Sequence, residues 1–143
     1  LQIDQISPSL ATTPATDKLR QYFEFIPYHP VSVSSEMVGT TIEELLIHNF
    51  PTKGSWENSR LGSFPEEVIL RLDHRSDIKF VLVRAKVNRP IPEVNVYIGD
   101  GVCGNFNDTK YEKAGSGFRI TEEGCTIKTN GIGNFIKPES SSL

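Results

Sequence analysis

Hydrophobic residues recur at every second position over several short segments of this chain, which is the period of a half-buried β-strand. Residues 67–72 place Val68 and Leu70 on one face. Residues 78–86 form the best strand, with Ile78, Phe80, Leu82 and Arg84 on one face and Lys79, Val81, Val83 and Ala85 on the other. Shorter segments of the same kind are residues 22–26, 31–34, 94–98, 118–120, 125–127 and 134–136.

Glycine and proline residues separate these segments, for example in the turn signal Gly99-Asp100-Gly101. Residues 40–46 differ, because Thr40 and Thr41 are followed by acidic residues, as at the start of a helix of one or two turns. Seven or eight short strands joined by turns are typical of an antiparallel β-sandwich. The predicted fold class is therefore all-β, an antiparallel β-sandwich, with an open barrel as the alternative.

The length and composition indicate one domain. The chain has 143 residues and a formal charge of −3, and a basic excess typical of nucleic-acid binders is not seen. We divide it into residues 1–20, a short strand followed by a Ser/Pro/Thr-rich linker, residues 21–137, the sandwich, and residues 138–143, a polar tail. With no apolar run of ~20 residues and no signal-peptide pattern, we expect a soluble intracellular domain without a membrane span.

The candidate chemical groups do not form a catalytic or metal-binding motif. No nucleophile motif occurs near the three histidines, which are His29, His48 and His74. The two cysteines, Cys103 and Cys125, do not have the spacing of zinc ligands. The adjacent acidic pairs are poor candidates for a cooperating catalytic pair, because neighbours on a strand face opposite sides, and they are interpreted as solvated rims. They are Glu43–Glu44, Glu66–Glu67 and Glu122–Glu123. Residues 100–108 are rich in oxygen ligands but lack EF-hand spacing. We expect no enzyme activity, no catalytic residues, no metal and no cofactor.

A partner-binding surface is the remaining hypothesis. Trp56, the single tryptophan, lies in a polar loop, and basic residues follow in the loop and along the best strand. An aromatic residue among basic ones suits an acidic partner protein. The predicted partner-binding residues are Trp56, Arg60, Arg84, Lys86 and Arg89. The alternatives left open are that Trp56 caps the core and that the basic residues form an ordinary solvated face.

The middle of the chain carries a specific ordered series of motifs. It runs through Glu44-Leu45-Leu46-Ile47-His48, Pro51, Gly54-Ser55-Trp56, Ser59-Arg60, Phe64-Pro65-Glu66-Glu67-Val68, Asn88-Arg89-Pro90-Ile91-Pro92 and Val96-Tyr97-Ile98-Gly99. This series resembles the N-terminal domain of the centrosomal protein of 104 kDa family, found at ciliary tips. The Trp-then-Phe-Pro element is also similar to galactose-binding-like, discoidin-type domains.

The resemblance implies a jelly roll with the galactose-binding-like fold, and a structural role. We expect a non-catalytic protein-interaction module of a ciliary-tip or centrosomal microtubule-associated protein. Its partner would be tubulin, microtubules or another ciliary protein, and its location the cytoplasm and cytoskeleton, at the cilium tip or centriole. The alternative is a discoidin-type carbohydrate- or ligand-binding module, and a hydrolase subunit is the third hypothesis.

The family's final apolar strand has no counterpart after residues 134–137. Residues 1–6, with Leu1, Ile3 and Ile6, have the pattern of such a strand. We therefore predict that this N-terminal segment fills the place of the missing last strand, as in a permuted domain.

Overall fold

The computed structural model describes residues 26–34, 66–85, 88–101 and 109–140 in full, together with the backbone of three short strands outside these ranges. The strands are β1 (Gln2–Ile3), β2 (Gln5–Ser7), β3 (Tyr28–Val33), β4 (Trp56–Glu57), β5 (Glu66–Arg84), β6 (Ile91–Gly99), β7 (Tyr111–Ile120) and β8 (Cys125–Ser140). All pairings between them are antiparallel. The predicted all-β antiparallel class is confirmed, and the arrangement is consistent with a β-sandwich.

The main sheet has six strands. Its order is β2-β5-β8-β6-β7, with β3 pairing with the first half of β5, while β1 and β4 form a separate two-stranded sheet. The second half of β5 lies between β2 and the start of β8, and the end of β8 lies between β5 and β6. These connections do not show the strand order of a jelly roll, which stays a prediction.

The sheet folds onto itself where β7 crosses the first half of β8. These two strands are not hydrogen-bonded neighbours in the described sheet, yet a Cβ on Gly115 would lie 2.6 Å from the Lys128 carbonyl oxygen, and one on Gly117 would lie 3.0 Å from Ile127. Contact at that distance brings one strand face to face with the other. The glycines therefore allow two layers to approach closely, as a strand glycine commonly does.

Aliphatic side chains from β5, β6, β7 and β8 form one core. The cluster includes Val68, Leu70, Val96, Ile127 and Ile136. Phe135 and Ile69 are also buried, but each precedes a residue of that cluster, and successive strand residues face opposite sides. Both faces of the sheet are therefore buried where the end of β8 lies beside β5.

Several predicted strands are longer than the sequence pattern indicated. Residues 67–72 and 78–86 were expected as two strands and are one, β5; residues 125–127 and 134–136 are likewise one, β8. The pairing of β5 with β8 shifts between Arg71 and Ser76 and between Ile78 and Phe80. These irregularities interrupt the alternation inside a continuous strand, and this is why the sequence pattern divided it.

Burial also departs from the pattern in three places. Ile78 belongs to the same core cluster as Val81 and Val83, so the predicted face of Ile78, Phe80, Leu82 and Arg84 is wrong at its first member. Glu66, expected on a solvated rim, is fully buried and accepts a hydrogen bond from the Ser34 hydroxyl. The end of β8 extends to Ser140, which is buried and pairs with Glu66, inside the segment expected as a polar tail.

Other predictions lie outside the described residues. They concern residues 22–25 of the first internal strand, the helix at 40–46, the linker at 8–17, His48 and the loop at 102–108. In the part of the chain that is described, no helix is long and apolar enough to cross a membrane.

Candidate functional site

The N-terminal strands bring two predicted binding positions into one region. Ile3 of β1 pairs with Trp56, and Gln5 of β2 pairs with Arg84. Paired Cα atoms lie about 5.5 Å apart and successive ones about 3.8 Å apart, so the Cα atoms of Trp56 and Arg84 are within about 19 Å of each other. The two pairings therefore keep these positions, distant in sequence, within that distance of each other.

Arg84 itself is a buried residue rather than an exposed one. Its side chain is 5% exposed, and its Nε and Nη2 atoms donate to the Glu122 carbonyl oxygen at 3.2 and 2.9 Å. In the same turn, the Thr121 carbonyl oxygen accepts a hydrogen bond from the Ala85 backbone amide. Arg84 thus holds the turn between β7 and β8 against the end of β5, and it presents little charge to a partner.

Arg89 is the predicted binding residue that the structure exposes. It follows Asn88, whose φ of 60° makes the turn between β5 and β6. Asparagine tolerates this left-handed conformation better than most residues. The side chain of Trp56, and Arg60 and Lys86 entirely, lie outside the described residues.

A cluster that the sequence did not reveal lies on the outer face of the sheet. The Lys137 ammonium is 4.9 Å from the ring centre of Tyr97 and 4.7 Å from that of Tyr111, and 3.8 Å from a Glu67 carboxylate oxygen. Tyrosine faces attract cations electrostatically. Because these residues come from four strands, only their register could have shown that they meet.

The surroundings of this cluster raise the pKa of one of its tyrosines. Burial, with a contribution from the Glu67 charge, raises the pKa of Tyr111 to about 12. Tyr111 therefore stays protonated through the neutral range. The neutral Tyr111 ring packs against the Lys137 ammonium. We interpret this contact as one that stabilises the fold rather than one that transfers a proton.

The remaining reactive groups are exposed or structurally engaged. His29 and His74 are exposed, and burial raises the pKa of the Cys125 thiol, which favours its less nucleophilic protonated form. Arg75 makes a bidentate ion pair with Asp100 at 2.7 to 3.0 Å, and this joins β5 to the end of β6. Within the described ranges, no group of three or more His, Cys, Asp or Glu residues is placed to hold a metal ion.

Comparison with known proteins assigns this chain to no family. The comparison with protein-family models found no match, and the comparison with curated proteins found none either.

Proposed function

We propose that this chain is a non-catalytic protein-interaction module that binds an acidic partner surface at the end of β5. The observation that carries the proposal is the pairing of β1 with Trp56 and of β2 with Arg84. The two pairings limit the separation of Trp56 and Arg84 to about 19 Å, and Arg89 is exposed five residues after Arg84; this supports one binding region.

The roles within this surface differ from residue to residue. Arg84 anchors the turn at residues 121–124 from inside the fold, whereas Arg89 is free to present its guanidinium to solvent. Arginine suits this role because its planar donor fork matches carboxylates in two-point contacts. Of these two arginines, Arg89 rather than Arg84 is therefore the one that we expect to contact the partner.

The resemblance to the ciliary-tip family supports a cytoskeletal partner for this module. Tubulin carries acidic surface, so the same charge argument that favours an acidic protein favours microtubules. We propose microtubules, or another ciliary-tip protein, as the partner class.

Co-sedimentation with microtubules tests the proposal. Arg89→Glu is expected to reduce the bound fraction strongly, while Lys128→Glu, the same charge reversal at an exposed position of β8, leaves it within twofold. Arg84→Glu is unsuitable because it would leave a buried charge against the Glu122 carbonyl oxygen. Failure of the unaltered chain to sediment, or equal losses in both variants, would contradict the cytoskeletal proposal.

A further inference from the structure

A second surface lies on the outer face of β6, away from the core. Alternation along β6 puts Glu93, Asn95 and Tyr97 on the face opposite the buried Val94 and Val96. In register with Asn95 and Glu93 are Ser116 and Phe118 of β7, and Glu139 of β8. We call Glu93, Asn95, Ser116, Phe118 and Glu139 the outer patch.

Asn95 holds an unused hydrogen-bond acceptor in this patch. The residue is only 8% exposed, and its Oδ1 atom is buried without a hydrogen-bond partner. Leaving a buried polar atom unsatisfied lowers the stability of the folded state. A donor reaches this oxygen only when the side chains that cover it move aside, because the atom has almost no solvent-accessible surface. A group that then donates to it would satisfy the acceptor, so the position favours a ligand rich in N–H donors.

Phe118 gives the patch an exposed aromatic surface. It is 70% exposed, the highest value among the large hydrophobic residues that the structure describes as exposed. The next residue, Arg119, has a φ of 52°, and there the alternation of buried and exposed positions is interrupted before the buried Ile120. The left-handed conformation thus lets two successive residues, Phe118 and Arg119, face solvent.

The charges of the patch favour a cation. Glu93 and Glu139 are both partly exposed and form no ion pair with the described residues. Two lysines pair with Tyr97 of the same face, Lys113 of β7 and Lys137 of β8; Lys137 already contacts Glu67 and two tyrosine rings, and Lys113 is exposed. The exposed cations that flank the patch on β7 are Arg119, next to Phe118, and Lys113. Neither forms an ion pair with Glu93 or Glu139 in the described structure, so both carboxylates remain available to a cation.

The neighbouring lysine shows how this face holds a cation. Lys137 places its ammonium over Tyr97 and Tyr111 and against a carboxylate. The outer patch repeats the same components one step along the sheet, an aromatic ring and carboxylates, and adds the Asn95 oxygen. Unlike the lysine site, it contains no cation of its own among the five residues that define it.

We propose that the outer patch binds an arginine side chain of a partner protein. Guanidinium combines the required properties, because it stacks on an aromatic ring and donates several hydrogen bonds in one plane. In this arrangement it stacks on Phe118, pairs with Glu93 and Glu139, and donates to the Asn95 oxygen. The outer patch carries carboxylates, whereas the surface around Arg89 is basic. This proposal therefore does not depend on the proposed binding of an acidic partner.

Titration of the full chain with a short peptide tests the site. The probe is acetyl-Gly-Arg-Gly-Arg-Gly-amide, followed by amide chemical shifts in NMR, and the control is the same peptide with citrulline, which has nearly the same shape without the charge. We expect shifts centred on Asn95, Ser116 and Phe118 with the arginine peptide and none with the citrulline peptide. Equal binding of both peptides would overturn the proposal.

Matched variants separate specific recognition from general attraction between charges. Glu93→Gln and Phe118→Ala are each expected to weaken binding about fivefold, the effect of losing about 1 kcal/mol. Glu112→Gln makes the same charge change at an exposed position of β7 that pairs with the core residue Ile98, and it should change the affinity less than twofold. An equal loss for Glu112→Gln would contradict the site.

Asn95→Val distinguishes a ligand-binding role from a structural one. Valine removes the unpaired oxygen and suits a strand, so the midpoint of urea unfolding should rise while peptide affinity falls. A purely structural asparagine would lose stability on this change and leave the affinity of the folded protein unaltered. That result would overturn the assignment of Asn95 to the site. Arg89→Glu leaves the outer patch intact and should not lower the affinity for the peptide.

Discussion

At the scale of single residues, burial rather than residue type decides what an ionisable side chain does here. Arg84 and Arg89 are both arginines at the end of β5 and the turn that follows, yet one is buried against a carbonyl and the other is exposed. Glu66 and Glu67 are adjacent, but only Glu66 is fully buried, where it accepts from Ser34. Sequence pattern alone treats the members of each pair as equivalent.

Replacing Arg84 by alanine tests its structural role. The change removes the two hydrogen bonds to the Glu122 oxygen and the packing of the aliphatic stem, so the free energy of unfolding should fall by about 2–3 kcal/mol. Urea denaturation followed by circular dichroism measures it. Lys128→Ala, at an exposed position of β8, should change stability by no more than about 0.5 kcal/mol. Equal effects of the two changes would argue against an anchoring role.

At the scale of elements, the sequence predicted strand existence and class better than strand length. Alternation located β6 well, and its predicted end at Gly99-Asp100-Gly101 agrees with the strand's last residue, Gly99. The long strands β5 and β8 were divided because bulges break the two-residue period without ending the hydrogen-bonded ladder. A local pattern cannot distinguish a bulge from a turn, since the difference lies in the partner strand.

The candidate sites show the same division between local and long-range information. Composition near the best strand pointed to Arg89, which the structure exposes. The outer patch and the cluster around Lys137 were not predictable, because each is assembled by register across β6, β7 and β8. Phe118 was assigned to a strand, but its exposed position opposite Glu93 follows from the register of β7 on β6.

The close approach of β8 to the end of β6 depends on Gly133. A Cβ at Gly133 would collide with the backbone carbonyl oxygen of Gly99, which cannot move aside without moving β6. Gly133→Ala should therefore lower the free energy of unfolding by about 1–3 kcal/mol, the usual effect of overpacking. Differential scanning calorimetry of the variant measures the loss.

Gly131→Ala is the matched control for this prediction. It lies two residues earlier in the same strand, and its added methyl group would meet the end of the Ile98 side chain at 3.0 Å. A flexible side chain can yield where backbone cannot, so the loss should be clearly smaller than for Gly133→Ala. A larger loss for Gly131→Ala than for Gly133→Ala would mean that backbone contact does not limit how closely β8 approaches the end of β6.

At the scale of the whole molecule, the N-terminal segment connects the two sheets. β1 belongs to the two-stranded sheet with Trp56, and β2, only one residue later in the chain, belongs to the six-stranded sheet. Residues 5–7 do join the main sheet, beside the end of β5. Their correspondence to the last strand of the ciliary-tip family stays a prediction, because the comparisons matched no family.

Deleting residues 1–7 tests this connecting role. The change removes the strand that pairs with Leu82, Val83 and Arg84 and also separates Trp56 from its partner Ile3. Loss of a strand from the edge of a sheet exposes backbone groups and the apolar surface it covered, so the unfolding midpoint in urea should fall. Because the chain has one tryptophan, its fluorescence reports on the β1–β4 pairing separately from the secondary structure seen by circular dichroism.

Two shorter changes distinguish the contributions of β1 and β2. Deleting residues 1–3 should alter the Trp56 emission with a small loss of stability, because only the two-stranded pairing is removed. Ile6→Pro should lower stability, because proline cannot donate to the ladder opposite Val83, while Trp56 emission from the folded protein changes little. A segment that merely lies on the surface would leave both signals unchanged in both variants. That outcome would also remove the basis for placing Trp56 within about 19 Å of Arg84 in the proposed binding surface.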